Sequence, residues 1–254
     1  MINGVYLSTM GALVQAGRHG IIANNLANAN TVGFKPDIPT FRELLPESRL
    51  QPGRRIGLDE LLEQLGGGAW LNSTSTDFSP GSFRVTGNPL NAAIVEANGF
   101  FEVEKNGERF LTRDGAFTLN SDGELVLSDG VTRVLDQGGV PIVLQGSPVI
   151  RENGAIEDED TLLPVAQLSL VTVDNLGALE KRGDNLYRAG EAQVTQGEVR
   201  VMGGAVEESA VNPIREMAAM IEAARAYQAN MRLITIQDEI LGRVVSTVGS
   251  IRTG

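Results

Sequence analysis

The sequence predicts an α+β protein: a discontinuous helical coiled-coil domain formed by the two chain ends, and a mainly antiparallel β domain in the middle. Apolar residues recur at helical spacing near both termini, and Asn-Gly and Asp-Gly pairs recur through the middle. Charge is also distributed unevenly along the chain. We therefore expect residues 1–35 and 205–254 to form the helical domain, residues 36–75 a connector, and residues 76–204 the β-rich domain.

The charge difference separates the ends from the middle. The chain has 254 residues and a formal net charge of −11. Residues 1–35 carry two basic residues and no acid, and residues 205–254 carry five Arg and six acids, so the ends together carry +1. Residues 36–204 therefore carry −12. Near-neutral ends can pack together without self-repulsion, whereas an acidic middle favours hydration.

Composition excludes several kinds of chemistry. The chain has no cysteine and one histidine, His19, which excludes thiol catalysis, Cys-based zinc sites and His-rich metal sites. The acidic balance argues against nucleic acid as a partner, and no apolar run is long enough for membrane insertion. No phosphate loop, nucleophile elbow or metal motif occurs. We predict no catalytic residue, no cofactor and no metal.

The first predicted element is a helix over residues 3–29. Its apolar residues fall on one stripe at alternating steps of three and four, with three more that widen it: Leu7, Met10, Val14, Gly17 and Ile21, then Leu13, Ile22 and Leu26. Gly11, Gly17 and Gly20 each cost about 1 kcal/mol relative to Ala, but they allow another helix to approach closely. Asn30 favours the end of the helix.

Short strands are predicted through the middle. Five turn pairs recur every seven or eight residues, beginning at Asn98, Asn106, Asp114, Asp122 and Asp129. The expected strands cover residues 100–104, 109–112, 117–119, 124–127, 140–144, 165–173 and 185–188. A calcium-binding repeat would need more acids per turn than these loops supply. In the proline-containing connector, one short helix is possible from its leucines, Leu58, Leu61, Leu62 and Leu65.

The last predicted element is a helix of nearly 40 residues that begins at Asn212-Pro213, where Asn can cap and Pro suits the first turn. Its heptad stripe is interrupted only by Asp238 and consists of Met217, Met220, Ala224, Tyr227, Met231, Ile234, Leu241, Val245 and Val248. Further apolar residues lie outside this stripe, including Leu233, Ile236, Ile240 and Val244. A helix with apolar residues beyond one stripe needs more than one neighbour.

The predicted assembly interface combines this stripe with residues of the first helix: Leu7, Met10, Val14, Ile21, Asn24, Asn25, Leu26 and Asn28. Asn is unfavourable inside helices, because its amide competes with the backbone for hydrogen bonds. A satisfied amide network can offset that cost and fix one packing register. We therefore expect the amides of Asn24, Asn25 and Asn28 to act between subunits.

One stretch carries a family resemblance. Residues 23–35 read Ala-Asn-Asn-Leu-Ala-Asn-Ala-Asn-Thr-Val-Gly-Phe-Lys, which strongly resembles the signature of the bacterial flagellar rod and hook family. Further blocks at 86–94, 99–103, 111–117, 183–187 and 206–213 are similar to later blocks of that family. Asn91 stands where the family usually has Asp, and Ala210 where it usually has Asn.

The resemblance implies a structural subunit and not an enzyme. It also implies that the terminal helices line an axial tube, with the β domain outside it. It implies other rod and hook subunits and copies of the chain as partners. It also implies export through the flagellar type III apparatus without a cleaved signal, and a place in the periplasm-spanning basal-body rod. The proximal-rod branch is the most similar, with a distal rod or short hook-type subunit as the alternative. From the residues alone, a secreted β-domain enzyme or an adhesin with helical oligomerisation ends stays open.

Overall fold

The computed structural model describes residues 2–43, 68–161, 163–197 and 199–250, and the chain divides into two compact units. The first unit contains Met1–Leu26, Asp37–Ser75 and Pro213–Gly254, and the second contains Ala27–Pro36 and Thr76–Asn212. Within these residues, two α-helices and mostly antiparallel sheets confirm the α+β class. The short helix suggested by Leu58, Leu61, Leu62 and Leu65 lies outside the described residues.

The first unit contains both long helices and one small sheet. Helix α1 spans Ile2–Ala27, and helix α2 spans Pro213–Ser250 with Glu216 in its first turn, where the helix dipole favours an acid. Strands β1 (Asp37–Glu43) and β2 (Ala69–Thr76) form a two-stranded sheet. Both predicted terminal helices are therefore present, and α2 begins at the predicted proline.

The second unit is built from short strands. In chain order these are β3 (Phe83–Val85), β4 (Ala92–Ile94), β5 (Gly99–Lys105), β6 (Glu108–Thr112), β7 (Thr118–Leu119), β8 (Leu125–Val126), β9 (Arg133–Val134), β10 (Pro148–Ile150), β11 (Ala155–Asp158), β12 (Pro164–Gln167), β13 (Leu170–Val173), β14 (Glu180–Lys181), β15 (Leu186–Arg188), β16 (Val194–Gln196), β17 (Val201–Gly203) and β18 (Ala205–Glu207). One 3₁₀ turn spans Leu176–Ala178.

The strands of the second unit pair antiparallel throughout. Nine of them form one sheet with the order β14-β15-β6-β5-β9-β8-β7, in which β13 pairs with β5 and with β16. The order β10-β11-β12 forms a second sheet, and β4 with β17 and β3 with β18 form two small ones. Some strands therefore pair with their neighbours in the chain, such as β5 with β6, whereas others pair with strands far away in the chain, such as β3 with β18.

One predicted hairpin turn is present in the structure, whereas one predicted strand is not. Asn106-Gly107 joins β5 to β6 with left-handed φ values of +55° and +80°, as a two-residue hairpin requires. The strand predicted over residues 140–144 is instead reduced to isolated bridges at Pro141 and Val143. Proline has no N–H to donate to a ladder, which limits regular pairing at that point.

Two apolar clusters form the core of the second unit. The larger one includes Phe101, Leu125 and Leu168, none of which has measurable exposure. The smaller one is aromatic, with the Phe100 and Tyr187 ring centroids 5.9 Å apart. Each large apolar side chain buried in this way contributes about 1.5–3 kcal/mol, so the second unit has a substantial core of its own.

Candidate assembly interface

The two helices of the first unit meet through glycines and amides. A Cβ atom built on Gly4 would lie 3.0 Å from Nε2 of Gln237, and one built on Gly11 would lie 2.9 Å from Oδ1 of Asn230. The position in α1 rises by seven while its partner in α2 falls by seven, so the helices run antiparallel. The glycines of α1 therefore mark points of close approach between the helices.

The buried residues of these helices are mostly small or polar. Those with less than a tenth of their surface exposed are Ser8, Ala12, Ile22, Asn25 and Ala223. The buried amide oxygens of Gln15 and Gln237 have no hydrogen-bond partner among the described residues. Arg18 and Glu222 add an ion pair at 3.7 Å, which contributes little because Glu222 is well exposed. The most buried residues of the two helices are thus not those of the predicted heptad stripe.

Half of the described side chains in the predicted stripe of α2 are exposed on the surface of the subunit. Its residues Met220, Ala224, Ile234 and Leu241 are half-buried, while Met217, Tyr227, Met231 and Val245 are exposed. A second apolar row is also exposed and consists of Leu233, Ile236, Ile240 and Val244. Val248 belongs to α2 but lies beyond the side chains that the structure describes. Helix α2 therefore exposes apolar side chains along most of its length.

The predicted residues of α1 are more covered. Those that are half-buried are Leu7, Met10, Val14, Ile21 and Leu26. Leu7 and Met10 lie beside Gly68, with their side chains 3.7 and 3.5 Å from the position its Cβ would take. Tyr6 and Leu13, which the predicted interface omits, are instead exposed.

The three asparagines at the end of α1 have different environments. Asn25 is buried, donates from Nδ2 to the carbonyl of Asp37 at 3.0 Å, and accepts the Asp37 N–H at 3.0 Å. Asn28 accepts a hydrogen bond from Thr31 Oγ1 at 3.2 Å, and Asn24 is exposed. Asn25 therefore serves the fold of its own subunit, which corrects the expectation that all three amides act between subunits.

The small sheet of the first unit exposes apolar residues that the sequence analysis missed. Ile38 and Phe41 on β1 and Trp70 on β2 are each about half exposed. Leu71 packs toward Gly17 of α1. The available signal was Trp70, the single tryptophan of the chain, in the uncharged stretch 69–76. An uncharged, exposed strand is unusual in a chain this acidic, because exposed edges are normally protected by charge.

A buried charged cluster in the second unit was also missed. Lys35 Nζ lies 2.6 Å from Oε1 of Glu207, and Arg113 Nε lies 3.1 Å from its Oε2. Burial lowers the pKa of Lys35 and that of Arg113, and attraction to Glu207 opposes both shifts. Each residue appeared in the sequence only as one letter of a motif block. No local pattern in the sequence indicates that these three residues meet.

These features define a class of protein: an α+β chain with a long helix near each end and a unit of antiparallel β-strands in the middle. Within the described residues, no group of His, Asp and Glu side chains is arranged to hold a metal ion. Neither described helix has the length and apolarity needed to cross a membrane. The surface offers exposed apolar helix rows, which are suited to binding other helices.

Comparison with known families and proteins identifies the family. Residues 14–35 match "Flagella basal body rod protein", residues 94–158 match "Flagellar hook protein FlgE/F/G D1 domain", and residues 202–247 match "Flagellar basal body rod FlgEFG protein C-terminal". The chain is 30% identical to the rod protein FlgG of Buchnera aphidicola over 96% of this chain and 99% of the relative. It is 31% identical to the rod protein FlgF of Caulobacter vibrioides over 99% and 100%, respectively.

The chain therefore belongs to the flagellar basal-body rod protein family. It is a structural rod subunit and not an enzyme, as the sequence predicted. Relatives of the FlgG and FlgF types match at nearly the same identity, so the comparisons do not separate the proximal branch from the distal one.

Proposed function

We propose that the exposed rows of α2 bind the helices of neighbouring subunits in the rod, and that the two terminal helices pair there as a coiled coil. The neighbours are copies of this chain and other rod and hook subunits. The observation that carries the proposal is the exposure of Met217, Tyr227, Met231 and Val245 on a helix of 38 residues. Apolar rows of this extent on one helix are a strong driving force for association.

The proposed roles of the three parts of the chain follow their net charges. The terminal helices form the axial domain, over residues 1–35 and 205–254, with a net charge of +1. Residues 36–75 form the connector, and residues 76–204, with a net charge of −12, form the outer domain. Many near-neutral helices can be packed around one axis, whereas an acidic domain is suited to contact with water.

The proposed route and location come from the family. The chain passes through the flagellar type III export apparatus without a cleaved signal and joins the part of the basal body that spans the periplasm. There the rod transmits torque from motor to hook. We propose the proximal rod as its position, with the distal rod as the alternative.

A thiol-protection experiment tests the helix contact. The chain has no cysteine, so Val245→Cys introduces a single reporter at a position that is 69% exposed in the subunit. We expect a maleimide to label it in the isolated subunit but not in purified basal bodies. Ser121→Cys, in an exposed turn of the second unit, is the labelling control. Equal labelling of Val245→Cys in both states would contradict the proposed contact.

A further inference from the structure

The charged cluster of the second unit joins parts of the chain that are far apart in sequence. Besides Lys35, Oε1 of Glu207 accepts the backbone N–H of Gly81 at 2.8 Å. Lys35 Nζ also donates to the carbonyl of Ser79 at 2.8 Å. The side chains of Lys35, Arg113 and Glu207 are at most 1% exposed. Lys35 Nζ and Oε1 of Glu207 thus each have two partners within the unit, whereas Oε2 of Glu207 has only its ion pair with Arg113.

Arg113 is anchored as firmly on its other side. Its Nη1 donates to the carbonyls of Glu96 and Gly99, both at 2.7 Å. Its guanidinium carbon also lies 5.6 Å from the centre of the Phe100 ring. Arg113 therefore connects the Glu207 carboxylate to the start of β5 and to the aromatic core.

The backbone beside the cluster holds the same two segments together. The Gly33 N–H donates to the carbonyl of Glu207 at 2.7 Å, and the Ala210 N–H donates to the carbonyl of Phe34 at 3.0 Å. Gly33 has a φ of +66°, and a Cβ there would lie 2.4 Å from the carbonyl oxygen of Arg113. Only glycine fits both the conformation and the space. The segment that follows α1 therefore runs beside the segment that precedes α2.

We infer that Lys35, Glu207 and Arg113 form an ionic clamp that fixes where the chain enters and leaves the second unit, and that its role is to position the terminal segments rather than to stabilise the β core. Buried ion pairs are a poor source of stability, because desolvation offsets their attraction, but they are directional. Lys35, Arg113 and Glu207 lie one each in the three segments that match the rod and hook family. The role in assembly rests on the function proposed above, whereas the local clamp does not.

Hydrogen exchange on the isolated subunit tests the local clamp. Lys35→Met keeps the chain length of the side chain but removes its charge. We expect the amides of Gly33 and Ala210 to exchange at least tenfold faster, and to be accelerated more than the amides of Leu125 and Leu135 in the β sheet. Lys105→Met is the matched control, because Lys105 forms a partly exposed ion pair with Asp184, and it should change neither set.

Two results would overturn the clamp. One is unchanged exchange at Gly33 and Ala210 in Lys35→Met, and the other is an equal acceleration of the sheet amides, which would make the cluster an element of general stability. If Lys35→Met does not fold, Glu207→Gln gives the same test, because it removes the charge and keeps an acceptor for Gly81.

Basal-body counts test the positioning role. We expect cells carrying the folded Lys35→Met variant to yield at least tenfold fewer basal bodies, while Lys105→Met gives the normal number. A normal number of basal bodies, together with fast exchange of the Gly33 amide, would contradict the role of the clamp in positioning the terminal segments. That result would not contradict the proposed helix contact. Failure of the helix contact is detected separately. In that case the thiol of Val245→Cys, introduced as the only substitution, is still labelled in purified basal bodies.

Discussion

Asp114 is a buried carboxylate whose ionisation opposes the fold. It is 8% exposed, and its Oδ1 accepts the N–H of Ala116 at 2.9 Å. Burial, with a smaller contribution from the charge of Asp129, raises the pKa of Asp114 from 3.8 to about 6. The folded state therefore holds the proton more tightly than the unfolded state between these two values. Stability due to this group is present below pH 4 and is lost as the pH rises through 6.

Replacing Asp114 by Asn should remove this loss. We expect the free energy of unfolding of Asp114→Asn, relative to wild type, to increase between pH 4 and pH 7 by up to about 3 kcal/mol, since one pKa unit corresponds to about 1.4 kcal/mol. Urea unfolding at both pH values measures it. Asp122→Asn, the same change in an exposed Asp-Gly turn, controls for the loss of one negative charge. A constant difference between variant and wild type at the two pH values would contradict the assignment.

Asn25 and Asn24 should respond differently to the same substitution. Asn25→Ala removes the two hydrogen bonds between the Asn25 amide and the backbone of Asp37, and it should destabilise the first unit by about 1–3 kcal/mol. Asn24→Ala changes an exposed position and should stay within about 0.5 kcal/mol of wild type, while the yield of rods falls. Helix-specific circular dichroism in urea and basal-body counts measure the two effects. Loss of stability in Asn24→Ala would place its amide in the internal fold.

Individual residues also show which features of the site can be predicted from sequence. The Asn cluster was identifiable because Asn is unfavourable inside helices, yet nothing local distinguishes Asn25 from Asn24. The partner of Asn25 is the backbone of Asp37, which depends on where β1 begins. The pairing of Lys35 with Glu207 spans 172 residues, and such a distance is beyond any local pattern.

Helix α2 illustrates the same limit at the scale of an element. Its extent was predictable from a capped start and a sustained apolar repeat. Which face contacts α1 was not, because heptad counting selects the largest apolar residues. The contacts with α1 use Asn230 and Gln237 opposite glycines instead, since small residues permit the closest approach of two helices. Of the large stripe residues, Met217, Tyr227, Met231 and Val245 are left exposed on the subunit, whereas the others with described side chains are half-buried.

Met231→Asp should therefore be tolerated by the subunit and blocked in assembly. Met231 is 42% exposed, so a carboxylate there stays hydrated in the isolated chain. In a helix contact the same carboxylate would be buried without a partner, at a cost of several kcal/mol. We expect cells that lack rods and hooks, and purified protein with unchanged β-type circular dichroism. Gln228→Asp is the matched control, because Gln228 is exposed, belongs to neither apolar row, and lies one helical turn from both Arg225 and Arg232. Normal swimming of Met231→Asp cells would contradict the interface.

Among the strands, local turns were predictable and sheet order was not. The hairpin of β5 and β6 follows from Asn106-Gly107, whose two residues favour left-handed backbone. The placement of β13 beside β5 brings together residues about 70 positions apart, and burial across the whole unit selects it. The predicted boundaries also differ from the compact units, which change at residues 26–27, 36–37, 75–76 and 212–213.

For the whole molecule, the contrast between the units predicts a contrast in order. The second unit has two apolar clusters of its own, whereas α2 exposes most of its large apolar residues. Long helices gain most of their stability from packing. We expect hydrogen exchange on the isolated subunit to show fast amides over residues 1–30 and 215–254 and protection over 90–190. Equal protection across the chain would show that the helices are already stable without neighbours.

The position of the protein in the cell tests the central claim most directly. Ser121→Cys provides one exposed thiol in a chain without cysteine. After labelling with maleimide-linked gold, purified basal bodies can be imaged by electron cryomicroscopy, with wild-type basal bodies as the unlabelled control. A structural rod subunit predicts gold along the rod between the motor and the hook. Gold that is absent from basal bodies, or confined to any other part of them, would contradict the account.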